Sequence, residues 1–256
     1  MRILRVVMLA WWLHVKMMSR SAFESVLQVV WPLFFATTAL LMYRLVGDAD
    51  ALLYPALGAS VMAIWTAIST MASGILQRER GYGTLELLVA APSPFSTVIF
   101  PITLAVSTVG LYGMIATLVW ARLLFGVDTG ITRSPLTVVA VMATVIAIGA
   151  LGFVMSVTVV RYRAAWALGN VLEYPVWLIC GFLVPVSLLP GWVQVISWLL
   201  APTWGVRAIR EASAGGTPLP ELATCIGLAV AYGVMGIWLG RKFVHAARQH
   251  ATLSLT

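Results

Sequence analysis

Charge is scarce in this chain. Only 10% of its 256 residues are Asp, Glu, Lys or Arg, against 61% hydrophobic, with a mean hydropathy of +0.97. A soluble domain carries about a quarter charged residues, so a soluble globular fold is excluded and an integral membrane protein is expected. Two cysteines, Cys180 and Cys225, both inside apolar runs, provide neither a disulfide framework nor metal-ligand spacing and read as buried thiols. The three histidines, His14, His245 and His250, lie near the two ends without a partner cluster. There is no Gly-x-x-x-x-Gly-Lys phosphate loop and no His-Glu-x-x-His. A membrane-embedded enzyme should show carboxylates or histidines gathered on one face, and none is visible. The formal charge of +7 does not indicate nucleic acid, because the basic residues sit at the ends of apolar runs, where they act as topology signals.

Long apolar runs are what the chain has instead. About 20 residues are needed to cross the hydrocarbon core as a helix. Six runs qualify: 24–45, 55–76, 96–121, 135–160, 165–186 and 221–240. With both termini inside, eleven Lys and Arg residues fall on the cytoplasmic side and five outside, which favours that orientation. The first 20 residues show no convincing cleavable signal, since basic residues return before any cleavage site. At 100° per residue, Arg2, Arg5, Lys16 and Arg20 share one narrow arc, opposite Leu4, Val7, Trp11, Val15 and Met18. That pattern predicts a helix over 2–20 lying in the headgroup plane. Over 187–212, Pro190 and Pro202, with Pro185 just ahead, cut an apolar stretch into pieces too short to span. The expectation there is a re-entrant helical hairpin entering from the outside, with a surface loop as the alternative.

Polar groups within the spans are few. The second run carries a small and hydroxyl stripe, Ala59, Ala63, Thr66, Thr70 and Ser73, with Ser69 beside it. Such a stripe allows close helix packing or lines a mildly polar path. Glu173, with Asn170 one turn earlier, lies within the fifth run. An ionisable group at that depth faces either a wet cavity or a partner such as Arg163 or the N-terminal helix. Segment 77–94, between two long runs, is charged and punctuated by Gly81 and Gly83. Thr84 can cap a short helix there, with an apolar ridge of Leu85, Leu87, Leu88 and Val89, ended by Pro92 and Pro94. A short ridge flanked by Arg78, Glu79, Arg80 and Glu86 suits docking into a groove of a soluble partner.

The run Arg78-Glu79-Arg80 … Gly83-Thr84-Leu85-Glu86-Leu87-Leu88 … Pro92 resembles the signature of ABC-2 type exporter permeases. The stretch Pro185 … Leu189-Pro190-Gly191-Trp192 … Pro202-Thr203 … Arg210-Glu211 is similar to that family's outer segment. The resemblance covers nearly the whole chain. It implies a single all-α transmembrane domain over 1–256: six membrane helices, an N-terminal interfacial helix and an extracellular re-entrant hairpin.

The same resemblance implies how the parts work. The subunit would form half of a dimeric pore, with a second copy or a related permease as the other half. Two ATPase subunits would bind ATP and Mg, while this chain holds no cofactor or metal and binds no nucleic acid. Arg78, Glu79, Arg80, Gly83, Thr84, Leu85, Glu86 and Leu88 would couple to the ATPase, and Arg5, Lys16 and Arg20 would mark the interfacial helix. Thr66, Ser69, Thr70, Ser73, Asn170, Glu173 and Trp177 are candidates for the path, and Pro185, Pro190, Trp192 and Pro202 for the outer gate. The expected setting is the inner or plasma membrane, with both termini cytoplasmic. Amphipathic small molecules, drugs or lipids are the expected cargo; a lipid-linked glycan and a scaffold subunit without a path are alternatives.

Overall fold

The computed structural model describes residues 2–20, 22–45, 52–75, 94–130, 134–159 and 165–250, and isolated positions in the 77–94 segment. The described residues form helices and turns without strands. In chain order the α-helices are α1 (Arg2–Arg20), α2 (Ala22–Leu45), α3 (Leu53–Met71), α4 (Ser96–Phe125), α5 (Pro135–Val159), α6 (Ala165–Ile179), α7 (Gly191–Trp198), α8 (Ala201–Ser213) and α9 (Leu219–His250).

Four of these, α3, α4, α5 and α9, are long and apolar enough to cross a membrane over described residues. Helix α2 reaches the expected place and length, with an apolar part from Val29 to Leu45. The fifth run differs from the expectation of a span over 165–186. Its helix stops at Ile179, and fifteen residues cover about 22 Å, less than the roughly 30 Å of a hydrocarbon core. The stop is local. Gly181 takes the left-handed conformation (φ +74°), its N–H donates to Leu178 O, and the Phe182 N–H donates to Trp177 O. This is the paired hydrogen-bond pattern by which a left-handed glycine closes a helix.

Helix α3 is the central element. Every residue from Pro55 to Ser69 is buried, and α2, α4, α6 and α8 pack around it. A helix apolar on all sides is stable only when enclosed. Its hydroxyls are satisfied within the helix: Ser60 donates to Leu57 O (2.7 Å), Ser69 to Thr66 O (3.1 Å) and Thr70 to Thr66 O (2.7 Å). The turn after α3 is held by α5, whose Ser156 hydroxyl donates to Ala72 O at 2.6 Å. Helix α9 packs on α5 and leaves Ile226, Val230, Val234 and Trp238 exposed, an outer face suited to lipid.

Helix α1 lies against the middle of α4. Val15 packs with Ala105 and Val109, flanked by Trp11 and Met18. The Trp11 indole donates to Thr108 Oγ1 at 3.0 Å, and the Ser19 hydroxyl meets Tyr112 OH at 3.1 Å. Arg5, Lys16 and Arg20 are exposed, on the side away from α4. Leu4, on the expected apolar arc, is exposed too, as are Met8, Trp12, Leu13 and Met17. The helix therefore has one packed face, one charged stripe and exposed apolar flanks.

Candidate functional site

Three regions of the chain hold the candidate coupling, path and gate residues. The first is the 77–94 segment. Arg78, Arg80, Thr84, Leu85, Glu86 and Leu88 lie outside the described residues. Of those described, Gly83 has φ +69°, Glu79 is half-buried and Leu87 is exposed.

The second region is the contact of α3 with α6. Thr66, Ser69 and Trp177 are buried, Thr70 and Asn170 are half-buried, and the Ser73 side chain lies outside the described residues. Positions 173, 176, 177 and 180 repeat at helical spacing and form the inner face of α6. Glu173 is 3% exposed, and the Thr66 hydroxyl of α3 interacts with its carboxyl. Its Oε1 has no hydrogen-bond partner, and neither do the indole nitrogens of Trp65 and Trp177. The structure thus brings Thr66 and Glu173 together, while Ala59, Ala63 and Ser69 of the same stripe are taken up in packing.

The third region lies where α6 ends and α8 packs on α3, and its central residue is Arg210. Nη1 donates to Gly181 O (2.9 Å), while Nη2 donates to Phe182 O (2.8 Å) and Tyr54 O (3.0 Å). The guanidinium lies over the Tyr54 ring, 3.4 Å from its centroid. The Tyr54 hydroxyl also donates to Gly181 O (2.9 Å), and that of Tyr43 to Leu183 O. Irregular backbone in an apolar fold must find internal hydrogen-bond donors. Here the two terminal nitrogens of a guanidinium and two phenols serve the carbonyls freed where α6 ends, while Nε of Arg210 has no partner. Gly58 makes room for this contact: a Cβ there would stand 1.7 Å from Phe182 O.

Beyond this contact, α7 and α8 fold back on each other. The Ser197 and Thr203 hydroxyls pair at 3.3 Å, and the Trp204 indole donates to Trp198 O at 2.8 Å. At eight and thirteen residues neither spans a bilayer. Pro202 is buried in the first turn of α8, Pro185 is half-buried, and Pro190 and Trp192 are exposed. A cavity of about 600 Å³ opens beside them, with Tyr54, Arg207, Arg210, Glu211 and Glu221 as its polar wall. Sequence reasoning assigned no role to Arg210, Tyr54, Tyr43 or Gly58. One signal was present: Arg210 follows Thr203 by seven residues and Val206 by four, which places it on the buried face of α8. No cluster of three or more His, Cys, Asp or Glu able to hold a metal ion occurs among the described residues.

Long apolar helices around a buried central one, with polar side chains turned inward, define a multi-pass membrane protein. Residues 5–213 match the family model of the ABC-2 type transporter, and the chain belongs to that family. It is thus an ABC transporter permease, the transmembrane component, which has no ATP site of its own and associates with an ABC ATPase. The comparison with curated proteins gives no match.

Proposed function

We propose that this permease exports amphipathic small molecules, drugs or lipids from the cytoplasmic side outward. It pairs with a second copy or a related permease to enclose the path, and each half is driven by a separate ATPase subunit that binds ATP and Mg. The observation that carries this reading is the family match over 5–213, which includes the 77–94 segment and the α7–α8 hairpin. Gly83-Thr84-Leu85-Glu86-Leu87-Leu88 serves as the coupling helix. The bias of Lys and Arg toward one side supports cytoplasmic termini.

The proportions of α4 support the mechanical part. Thirty residues make about 45 Å, roughly 15 Å more than a hydrocarbon core. Helix α1 contacts α4 around Ala105–Tyr112. With α1 in the headgroup plane, the first two turns of α4 project past it toward the coupling segment. A push on that segment then reaches α1 and α4 as one packed body. ATP can drive the outward-open state only through different affinities for the two conformations. The exposed Trp192, Val195 and Ile196 of α7, with Leu199 just after it, suit an element inserted in the outer leaflet.

Replacing Leu85 or Glu86 by Ala should leave the permease–ATPase complex assembled but separate ATP turnover from transport. Reconstitution with the ATPase and measurement of both rates tests it; full transport by either variant overturns the reading. A lipid-linked glycan is the second cargo, and stimulation of turnover by that class instead of amphipathic molecules would select it.

A further inference from the structure

Glu173 is the only Asp, Glu, Lys or Arg in the buried class among the described residues. A carboxyl withdrawn from water costs several kcal/mol unless it is paired. The protein supplies little pairing here. Thr66 addresses the carboxyl, and Oε1 has no partner. Helix α3, which packs on α6, contains no ionisable side chain except Tyr54 near its outer end, and α6 has only Glu173 and Tyr174. The turn at Ala72–Gly74 and helix α7, which also touch α6, have none. The one base on α2 is Arg44, in its last turn, about 13 Å along the helix from Phe35. Among the described residues, no element packed on α6 brings a counter-charge to Glu173.

Aromatic rings surround the same turn of α6. Trp177, one turn after Glu173, is in edge contact with Phe35 of α2 (centroids 4.7 Å apart) and with Tyr174 (5.0 Å), and Phe35 meets Tyr174 at 6.2 Å. Trp31 and Phe34 extend the group along α2. Tyr174, Trp31 and Phe34 are exposed, at 48%, 47% and 62%, so the wall opens on the surface between α2 and α6. Pro175 adds an acceptor, because lacking an N–H it leaves the Val171 carbonyl without its helical donor. Ring faces attract cations, a lone carboxylate does so more strongly, and among the described residues of α2, α3 and α6 the one positive group is Arg44 at the far end of α2.

We propose that the Glu173 carboxyl and the Phe35–Tyr174–Trp177 rings form a recognition site for lipophilic organic cations, and that the exported amphiphiles include molecules carrying an ammonium or phosphonium centre. The site rests on the export reading for its purpose, though not for its chemistry. A cation slipping between the rings neutralises a carboxylate that meets no counter-charge among the described residues. An anion of the same shape meets repulsion and a wall without basic groups.

The test uses the full-length permease in detergent, without ATPase. Binding of tetraphenylphosphonium and of tetraphenylborate, alike in shape and opposite in charge, is measured by equilibrium dialysis against empty micelles. Saturable binding of the cation is expected. Glu173→Gln should weaken it about tenfold, the loss of one desolvated charge contact, and should leave tetraphenylborate unchanged or tighter. Tyr174→Leu, at an exposed ring, should weaken the cation alone, and it decides the matter where Glu173→Gln does not assemble. Equal changes for both ions, or none, overturn the proposal while leaving ATP-coupled export standing. Intact cation binding by a permease that couples to no ATPase would overturn the export reading and leave the site.

Discussion

The Arg210 guanidinium donates to the Gly181 carbonyl at 2.9 Å, so helix α8 ties down the left-handed turn that ends α6. The same side chain reaches Phe182 O and Tyr54 O, which fastens three elements, α3, α6 and α8, at one point. Arg210→Ala should strand these carbonyls and cost about 3 kcal/mol or more, read as a lower Tm in detergent. Arg210→Lys should recover only part of this, since an ammonium is not a planar fork.

Gly58 permits that junction to close. A Cβ there would stand 1.7 Å from Phe182 O and 2.7 Å from Arg210 Nη2. Backbone must shift to admit it, so Gly58→Ala should destabilise by about 1–3 kcal/mol. Gly227 on α9 has no atom within 4 Å of such a Cβ. Gly227→Ala should be stabilising, by up to about 1 kcal/mol. Thermal unfolding of the two variants side by side checks the contrast.

The seating of α1 on α4 turns on the bond from the Trp11 indole to Thr108. A double-mutant cycle with Trp11→Phe and Thr108→Val should give a coupling of about 0.5–1.5 kcal/mol. A coupling near zero would show that α1 is held by apolar contact alone. In a coupled complex, the larger change Val15→Lys should reduce ATP-driven transport while the bare permease still binds ligands, because it unseats α1 from Ala105 and Val109.

Cys180 and Cys225 are free and buried. N-ethylmaleimide should modify neither in the folded permease and both after denaturation in SDS, as read by intact mass. Fast labelling of Cys180 in the native state would mean that the turn at Gly181 opens.

Much of the fold was legible in the residue order. Hydrocarbon demands about 20 apolar residues per crossing, so runs 55–76, 96–121, 135–160 and 221–240 stand out, and the observed helices overlap each of them. The basic arc of α1 was equally plain, because 3.6-residue periodicity is a local property. The end of α6 was not: hydropathy continues through Cys180–Leu183, while the turn depends on one glycine and on donors far away in sequence. The small stripe on α3 could equally line a path or pack, and only the neighbours of α3 show that Ala59, Ala63 and Ser69 are enclosed within one subunit.

The amino-acid order by itself determined the solvent this protein lives in and where most of its long helices run, because hydropathy, helical period and proline or glycine act over a few residues. Tertiary structure alone decided which polar groups meet: Arg210 with carbonyls 28 to 156 residues away, and Glu173 with Thr66. A buried charge takes whatever donor or ring the packing brings to it, and packing joins residues that no local pattern connects.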